Sequence, residues 1–218
     1  MSGAGDQDPP PASAVQVEGV FGGTRIATPE GWRPVEQLRR GDAVLTVDGP
    51  PQPLRLARHN RIRPAGWPVS LGPLLVPPGA LDNRESLLLL SGQHVLLECD
   101  LAEVQCGEPF ALVPAAALDG FRGIFRVTPP AETVAVSLGF AQEELVYAAG
   151  STLLRCGGTE PAENPVQAML ARARGGRSPA LSLEQAAHLI ACLLAEEAGA
   201  ALRGLTFQAA RARGANRP

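Results

Sequence analysis

The chain of 218 residues is 45% apolar, which is enough for one domain-sized core, but only 4% aromatic, so leucine, valine and alanine must fill that core. A formal net charge of -3 and scattered basic residues exclude the concentrated basic stripe of a nucleic-acid-binding protein. The 24 glycines and 21 prolines favour a β-protein with many turns over a helical bundle.

Residues 1–14 are small, polar and proline-rich, so we expect a disordered segment. They lack the basic start and apolar centre of a signal peptide, and no apolar run approaches the ~20 residues that span a bilayer. We therefore expect a soluble, cytoplasmic protein with neither nucleic acid nor a membrane as a partner. Four cysteines without metal-ligand spacing are too few for a disulfide scaffold and predict no metal or cofactor.

Residues 15–156 alternate short apolar runs with turns, which predicts one all-β domain with strongly bent strands. Strands are expected on both sides of the turn at 29–31 and of the turn at 48–51. The stretch SLLLLSGQHVLLECD predicts two buried strands, 87–90 and 95–97, separated by a turn at 91–93. His94 lies directly before the second of these strands. A buried, hydrogen-bonded structural histidine and a reactive one both fit that position.

The composition changes at residue 157, and residues 157–218 are predicted to form a linker and a helical extension. Two helices are expected, at 164–174 and 182–203, followed by a frayed tail at 210–218. Ser182 and Gln185 form a capping-box pattern, and apolar residues follow at a 3.6-residue period. His188 lies at the edge of that apolar stripe. The helices could dock on the β-domain or bind an unknown protein partner, and the sequence permits either.

The stretch GTRIATPEGWRPVEQLRRGDAVLTVDG, starting at Gly23, resembles the opening of the Hint (Hedgehog/intein) domain, especially in its bacterial branch. The matching residues are Gly23, Thr24, Ile26, Thr28, Gly31, Val35, Glu36, Leu38, Gly41 and Asp42. The stretches VPPGAL and LLLLSGQHVLL resemble later blocks of that family, and RGIFRV and ELVYAAGSTLL resemble its closing strands. The resemblance implies a horseshoe-shaped, all-β Hint-like fold for residues 15–156, with the helical extension outside it.

The resemblance also implies a self-processing site. Hint domains cut the peptide bond before their own first residue, where a Cys or Ser attacks the preceding carbonyl. A Ser/Thr-x-x-His pair, here Ser91 and His94, contacts that bond and protonates the departing nitrogen. Counting back four residues from Gly23 places Gly19 at the nucleophile position, where it offers no side chain. Thr24 is the nearest hydroxyl, and the family pattern makes it structural.

The closing block also departs from the family. Related bacterial members carry histidine-rich polar residues near the positions of Ser137 and residues 142–144, and this chain has no histidine there. An intein-type end is missing as well, because no His-Asn pair precedes a Cys, Ser or Thr. The leading hypothesis is therefore a degenerate self-processing domain that acts as a structural or protein-binding module. The alternative is an autoproteolytic domain that cleaves the Glu18-Gly19 bond with help from Ser91 and His94. An enzyme acting on external substrates has no supporting motif.

The remaining polar and aromatic candidates have simpler interpretations. Glu36 and Asp42 are expected to serve turns of the fold, and His59 to lie in a solvated basic loop. Trp32 and Trp67 are expected to be packing residues.

Overall fold

The computed structural model describes residues 18–62, 72–107, 109–129, 133–159 and 180–214. The predicted disordered segment 1–14, the predicted helix 164–174 and Trp67 lie outside the described residues. Within the described part, the β-rich prediction for the body of the chain and the helical prediction for its end are both confirmed.

The described structure contains fourteen short strands. They are β1 (Val20–Phe21), β2 (Arg25–Thr28), β3 (Gly31–Pro34), β4 (Ala43–Val44), β5 (Gln52–Pro53), β6 (Leu56–Ile62), β7 (Leu74–Val76), β8 (Leu87–Leu89), β9 (His94–Glu98), β10 (Phe110–Pro114), β11 (Phe125–Arg126), β12 (Thr133–Phe140), β13 (Glu144–Ala148) and β14 (Thr152–Gly158). Two α-helices, α1 (Asp100–Cys106) and α2 (Leu183–Gly214), and short 3-10 helices at Val35–Gln37, Ala115–Leu118 and Phe121–Gly123 complete it.

One large sheet runs through the molecule in the order β11-β7-β8-β1-β12-β14-β13-β2-β3. Strand β1 lies between β8 and β12, with Val20 opposite Leu89 on one side and Val136 on the other. Strand β9 joins β14 through the pair Leu154–Val95, and β10 pairs with β9 along its whole length. These pairings bring the beginning of the described chain next to β9, β12 and β14.

The apolar runs around the turn at 91–93 form strands as predicted. Leu87 and Leu89 of β8 and Val95 of β9 are completely buried, whereas Leu88 and Leu96 beside them in these strands are partly exposed. This is the period-2 alternation of a sheet with one face in the core. The predicted strands beside the turns at 29–31 and 48–51 are also present. Leucine, valine and alanine supply most of the core, as the scarcity of aromatic residues requires.

Three sequence predictions need correction. Trp32 of β3, expected to be a packing residue, is 43% exposed. His59 lies in strand β6, not in a loop, because β6 pairs with all but the last residue of β12 and that pairing overrides its polar composition. Helix α2 continues to Gly214, past the predicted end at 203 and into the tail expected to fray. The alanines and arginines of that stretch favour a helix, and a single interior glycine at 204 does not break it.

Helix α2 begins against the β-structure. Ser182 caps it, accepting a hydrogen bond from the Gln185 backbone at 3.2 Å. Ala186, Leu189 and Ile190 are buried in the core, where the helix contacts α1, β10 and the 3-10 helix Ala115–Leu118. The first turns of α2 therefore dock on the β-domain. Among the described residues, no helix combines the length and apolarity needed to cross a membrane.

The docking contact predicts a position-dependent loss of stability along α2. Leu189→Ala should lower the free energy of unfolding by about 2–5 kcal/mol, because it empties a fully buried site. Leu194→Ala is the matched control: that side chain is 37% exposed, so its loss should be under about 1 kcal/mol. Urea unfolding followed by circular dichroism measures both. Equal effects of the two substitutions would contradict the docking.

Candidate functional site

The backbone at the predicted cleavage position is held by two hydrogen bonds. The Glu18 carbonyl oxygen accepts one from the Ser137 hydroxyl of β12, at 2.6 Å. The Gly19 carbonyl oxygen accepts one from the Leu90 amide, at 3.0 Å. Since β1 follows directly and lies between β8 and β12, the Glu18-Gly19 bond is fixed against both neighbouring strands.

Gly19 lies where the surrounding atoms leave no space for a side chain. It does not have a positive φ, unlike nine other glycines of the described chain, so its backbone conformation suits any residue. A Cβ atom placed on it would lie 2.9 Å from the Val136 carbonyl oxygen, and 3.2 Å from both Leu90 Cδ1 and Ser137 Oγ. The nearest of these is a backbone atom in a paired strand, which cannot move aside easily. The position expected to carry a nucleophile is therefore too tight for any side chain.

The Glu18 carboxylate is the centre of the site. It accepts hydrogen bonds from His94 Nδ1 at 2.8 Å and from Arg155 Nε at 3.0 Å, and Arg155 Nη2 contacts the same carboxylate oxygen. All three side chains are largely buried, with 18–22% of each exposed. Because a carboxylate can only accept, Nδ1 of His94 must carry a proton. Arg155 Nη2 also lies 3.2 Å from His94 Nδ1, and because both nitrogens then carry protons this contact is not a hydrogen bond.

The charge of Glu18 is stabilised in the folded protein. Burial by itself would raise its pKa, but the hydrogen bonds from His94 and Arg155 and their positive charge outweigh burial and hold the pKa of Glu18 below its usual value. Glu143 extends the cluster through an ion pair with Arg155 at 3.5 Å. The pKa of the neighbouring Cys156 thiol shifts in the opposite direction. Burial, together with the negative charge of Glu18, raises it far above its usual value. Cys156 is therefore a neutral thiol and a poor nucleophile.

Ser91 is hydrogen-bonded away from the Glu18-Gly19 bond. Its hydroxyl donates to the Gly72 carbonyl oxygen at 3.1 Å and accepts from Arg126 Nη1 at 3.2 Å. Arg126 also pairs with Asp119 and donates to the Ala116 carbonyl oxygen. The structure thus places Ser91 in a network that ties the turn after β8 to the segment preceding β7 and to strand β11.

Thr24 lies in the turn between β1 and β2. Its backbone amide donates to the Phe21 carbonyl oxygen at 3.2 Å, and its carbonyl oxygen accepts from Val35 at 2.8 Å. The Glu36 carboxylate accepts from the Gly23 amide of the same turn, at 2.8 Å. Asp42 similarly accepts from the Arg39 amide. Glu36 and Asp42 therefore do hold turns, as the sequence predicts.

A cavity of about 730 Å³ adjoins the site. Its walls include Glu18, His94, Ser137, Arg155, Leu56 and Leu183. The cavity thus brings together Ser91 and His94 of the predicted motif with Glu18, the residue before the predicted cleavage position, whereas Thr24 is not part of its wall.

Sequence reasoning overlooked two of the groups that organise this site. It treated Glu18 only as the residue before a cleavage position, although a side chain directly before the bond that His94 is expected to contact lies within reach of that histidine. It did not consider Arg155, which interrupts the apolar strand TLLRCGG, and a lone charge in a buried strand indicates a buried partner. The sequence shows that histidine is absent near Ser137, but it does not predict the hydrogen bond from the Ser137 hydroxyl to the Glu18 carbonyl oxygen.

A family model described as a Hint domain matches residues 20–153, which is more than half of the chain. No curated protein and no solved structure matches the chain.

The Glu18 cluster predicts how stability depends on pH. The pKa of Glu18 is lower in the folded than in the unfolded protein, so its contribution is complete above the unfolded value of about 4.5 and is lost as the pH falls through the folded value. Glu18→Gln should reduce the free energy of unfolding at pH 7 by about 1–3 kcal/mol and flatten its decline below pH 4.5. Chemical denaturation at a series of pH values measures both effects.

Glu85→Gln is the control for this experiment, because Glu85 pairs with Arg25 at an exposed position and such pairs contribute little. It should change the free energy of unfolding at pH 7 by less than about 1 kcal/mol, and it should leave the shape of the pH curve unchanged. If Glu18→Gln behaves like Glu85→Gln, the carboxylate is not the stabilising centre of the site.

Proposed function

Because this chain belongs to the Hint domain family, we propose that it is a Hint-domain protein that has lost self-processing and acts as a structural or protein-binding module. The proposal depends on one observation above the others. His94, which the family pattern assigns to protonating the departing nitrogen, has its Nδ1 proton engaged by the carboxylate of Glu18. A proton held by a stabilised carboxylate is not available to a leaving amine through that nitrogen.

The position of the nucleophile supports the same conclusion. Gly19 has no side chain, and the space around it does not admit a Cβ atom without displacing the backbone of β12. Without a positioned nucleophile, cleavage would need a water molecule, and the loss of proximity removes a large part of the rate enhancement. Cys156 cannot substitute, because its burial keeps the thiol protonated.

One contact favours the second candidate, autoproteolysis of the Glu18-Gly19 bond. The Ser137 hydroxyl donates to the Glu18 carbonyl oxygen, and such a donor polarises a carbonyl group for attack. The same geometry argues against Ser137 as the attacking group. Its proton points at the carbonyl oxygen, whereas a nucleophilic hydroxyl must give its proton to a base and direct a lone pair at the carbonyl carbon.

The intact mass of the freshly purified full chain separates these functions. We expect a single species with the mass of all 218 residues. The sample should remain unchanged after incubation with hydroxylamine, which cleaves esters and thioesters faster than amides. A species that begins at Gly19 would overturn the proposal in favour of autoproteolysis.

Restoring the missing nucleophile provides a stricter test. Gly19→Cys should not release an N-terminal peptide in excess thiol, because His94 remains paired with Glu18 and the Cβ atom crowds Val136. Gly19→Ala is the matched control, since it introduces the same crowding without a thiol. Circular dichroism establishes that both variants fold, and mass spectrometry records cleavage. Release of residues 1–18 from Gly19→Cys but not from Gly19→Ala would show that the site still activates a nucleophile.

A further inference from the structure

Strand β6 has only one strand neighbour in the part of the chain that the structure describes. It pairs with β12 from Leu56 opposite Gly139 to Ile62 opposite Thr133. In an extended strand every second residue directs its backbone N–H and C=O away from such a neighbour. Every second residue of the seven-residue strand β6 therefore directs an N–H and a C=O group to the outer side, where no strand of the described structure pairs with them.

Other strand edges of the described structure are short or covered. Strand β11, at one end of the large sheet, has two residues, and β3, at the other end, has four including Pro34. The outer side of β10 is covered where the Leu181 amide donates to the Leu112 carbonyl oxygen at 2.9 Å. Short strands, prolines, covering segments and charged side chains are how proteins prevent unwanted strand addition. Within the described ranges, seven-residue strand β6 has neither a proline nor a covering segment, so its charged side chains are its protection, and their positive charge does not oppose an acidic strand.

The exposed side chains of β6 are basic. Arg58 and Arg61 are both exposed and form no ion pair with an acidic residue in the described ranges. They are three residues apart, so they project from opposite faces of the sheet. His59 is exposed on the same face as Arg61, and its Nε2 lies 3.1 Å from Arg39 Nη1. This concentration of positive charge occurs in a protein whose net charge is -3.

We propose that the outer edge of β6 binds an extended acidic segment of a partner protein as an additional strand. The inference rests on the proposed function, because it identifies the surface and the class of partner of a protein-binding module. Main-chain hydrogen bonds would supply the affinity, and carboxylates opposite Arg58 and Arg61 would supply the selectivity. Leu56, which is 37% exposed, adds an apolar contact at one end of the strand.

The charges discriminate between occupants of this edge. In a second copy of the chain paired through the same strand, the basic side chains of one β6 would lie beside those of the other, and like charges close together destabilise a strand pair. An acidic strand instead neutralises both Arg58 and Arg61. Since the two arginines lie on opposite faces, the partner needs acidic residues three positions apart, and a segment with carboxylates on one face only would satisfy just one of them.

A peptide titration tests the proposal. The probe is a capped ten-residue peptide with glutamates at its fourth and seventh positions in a valine-threonine background. It is added to the full chain, and amide hydrogen exchange and fluorescence anisotropy are recorded. We expect slowed exchange confined to amides of residues 56–62 and weaker binding at higher salt. Arg58→Glu with Arg61→Glu should weaken binding at least tenfold, whereas Arg84→Glu, an exposed arginine in another turn, should leave it unchanged within twofold.

Two modified peptides separate strand addition from simple charge attraction. Replacing both glutamates with lysine should abolish binding, and N-methylation of alternate amides, which removes ladder hydrogen bonds at constant charge, should weaken it at least tenfold. The proposal is overturned if the probe gives no protection, if the N-methylated peptide binds equally well, or if the same amides become protected in a concentration-dependent dimer. The intact mass of the same sample keeps the tests distinct. Cleavage at Glu18-Gly19 would overturn the proposed function, while an intact chain without protection overturns only the docking edge.

Discussion

The contact of the Glu18 carboxylate with the His94 and Arg155 side chains determines the character of the site. His94 and Arg155 come from the paired strands β9 and β14. Glu18 lies two residues before β1, which pairs with β8 and β12. The carboxylate thus joins strands that the chain reaches far apart in sequence. Breaking one partner of a largely buried ion pair leaves the other without compensation, which makes the cluster a strong constraint on the first described residues.

Under the proposed function, the same contact connects the loss of self-processing with retention of the fold. A histidine whose Nδ1 proton is held by a carboxylate is well suited to a structural role, and Ser91 has likewise been incorporated into a network with Gly72 and Arg126. The crowding around Gly19 supports the same proposal, because the Val136 carbonyl oxygen of β12 lies 2.9 Å from the place where a side chain would begin. The turn built on Gly23 and Glu36 does not depend on any of these groups, so the Hint fold persists without them.

Much of the fold could be predicted from local pattern. The apolar alternation around Leu87 and Val95 and the capping pair at Ser182 specify strands and a helix directly. The site was less predictable, because its contacts join residues distant in sequence: Glu18 and Arg155 meet only through the pairing of the sheet. His59 shows the same limit, since its strand is set by pairing with β12 and not by its own polar neighbours.

The tautomer of His94 tests the account most directly. A long-range ¹H–¹⁵N spectrum of the histidine side chains at neutral pH reports which ring nitrogen carries the proton. The account predicts a protonated Nδ1 on His94 that loses its preference in Glu18→Ala, because the carboxylate that accepts this proton is removed. An unprotonated Nδ1 in the unmodified protein would contradict it, because the carboxylate could then form no hydrogen bond with that nitrogen and His94 would be free for the family's chemistry.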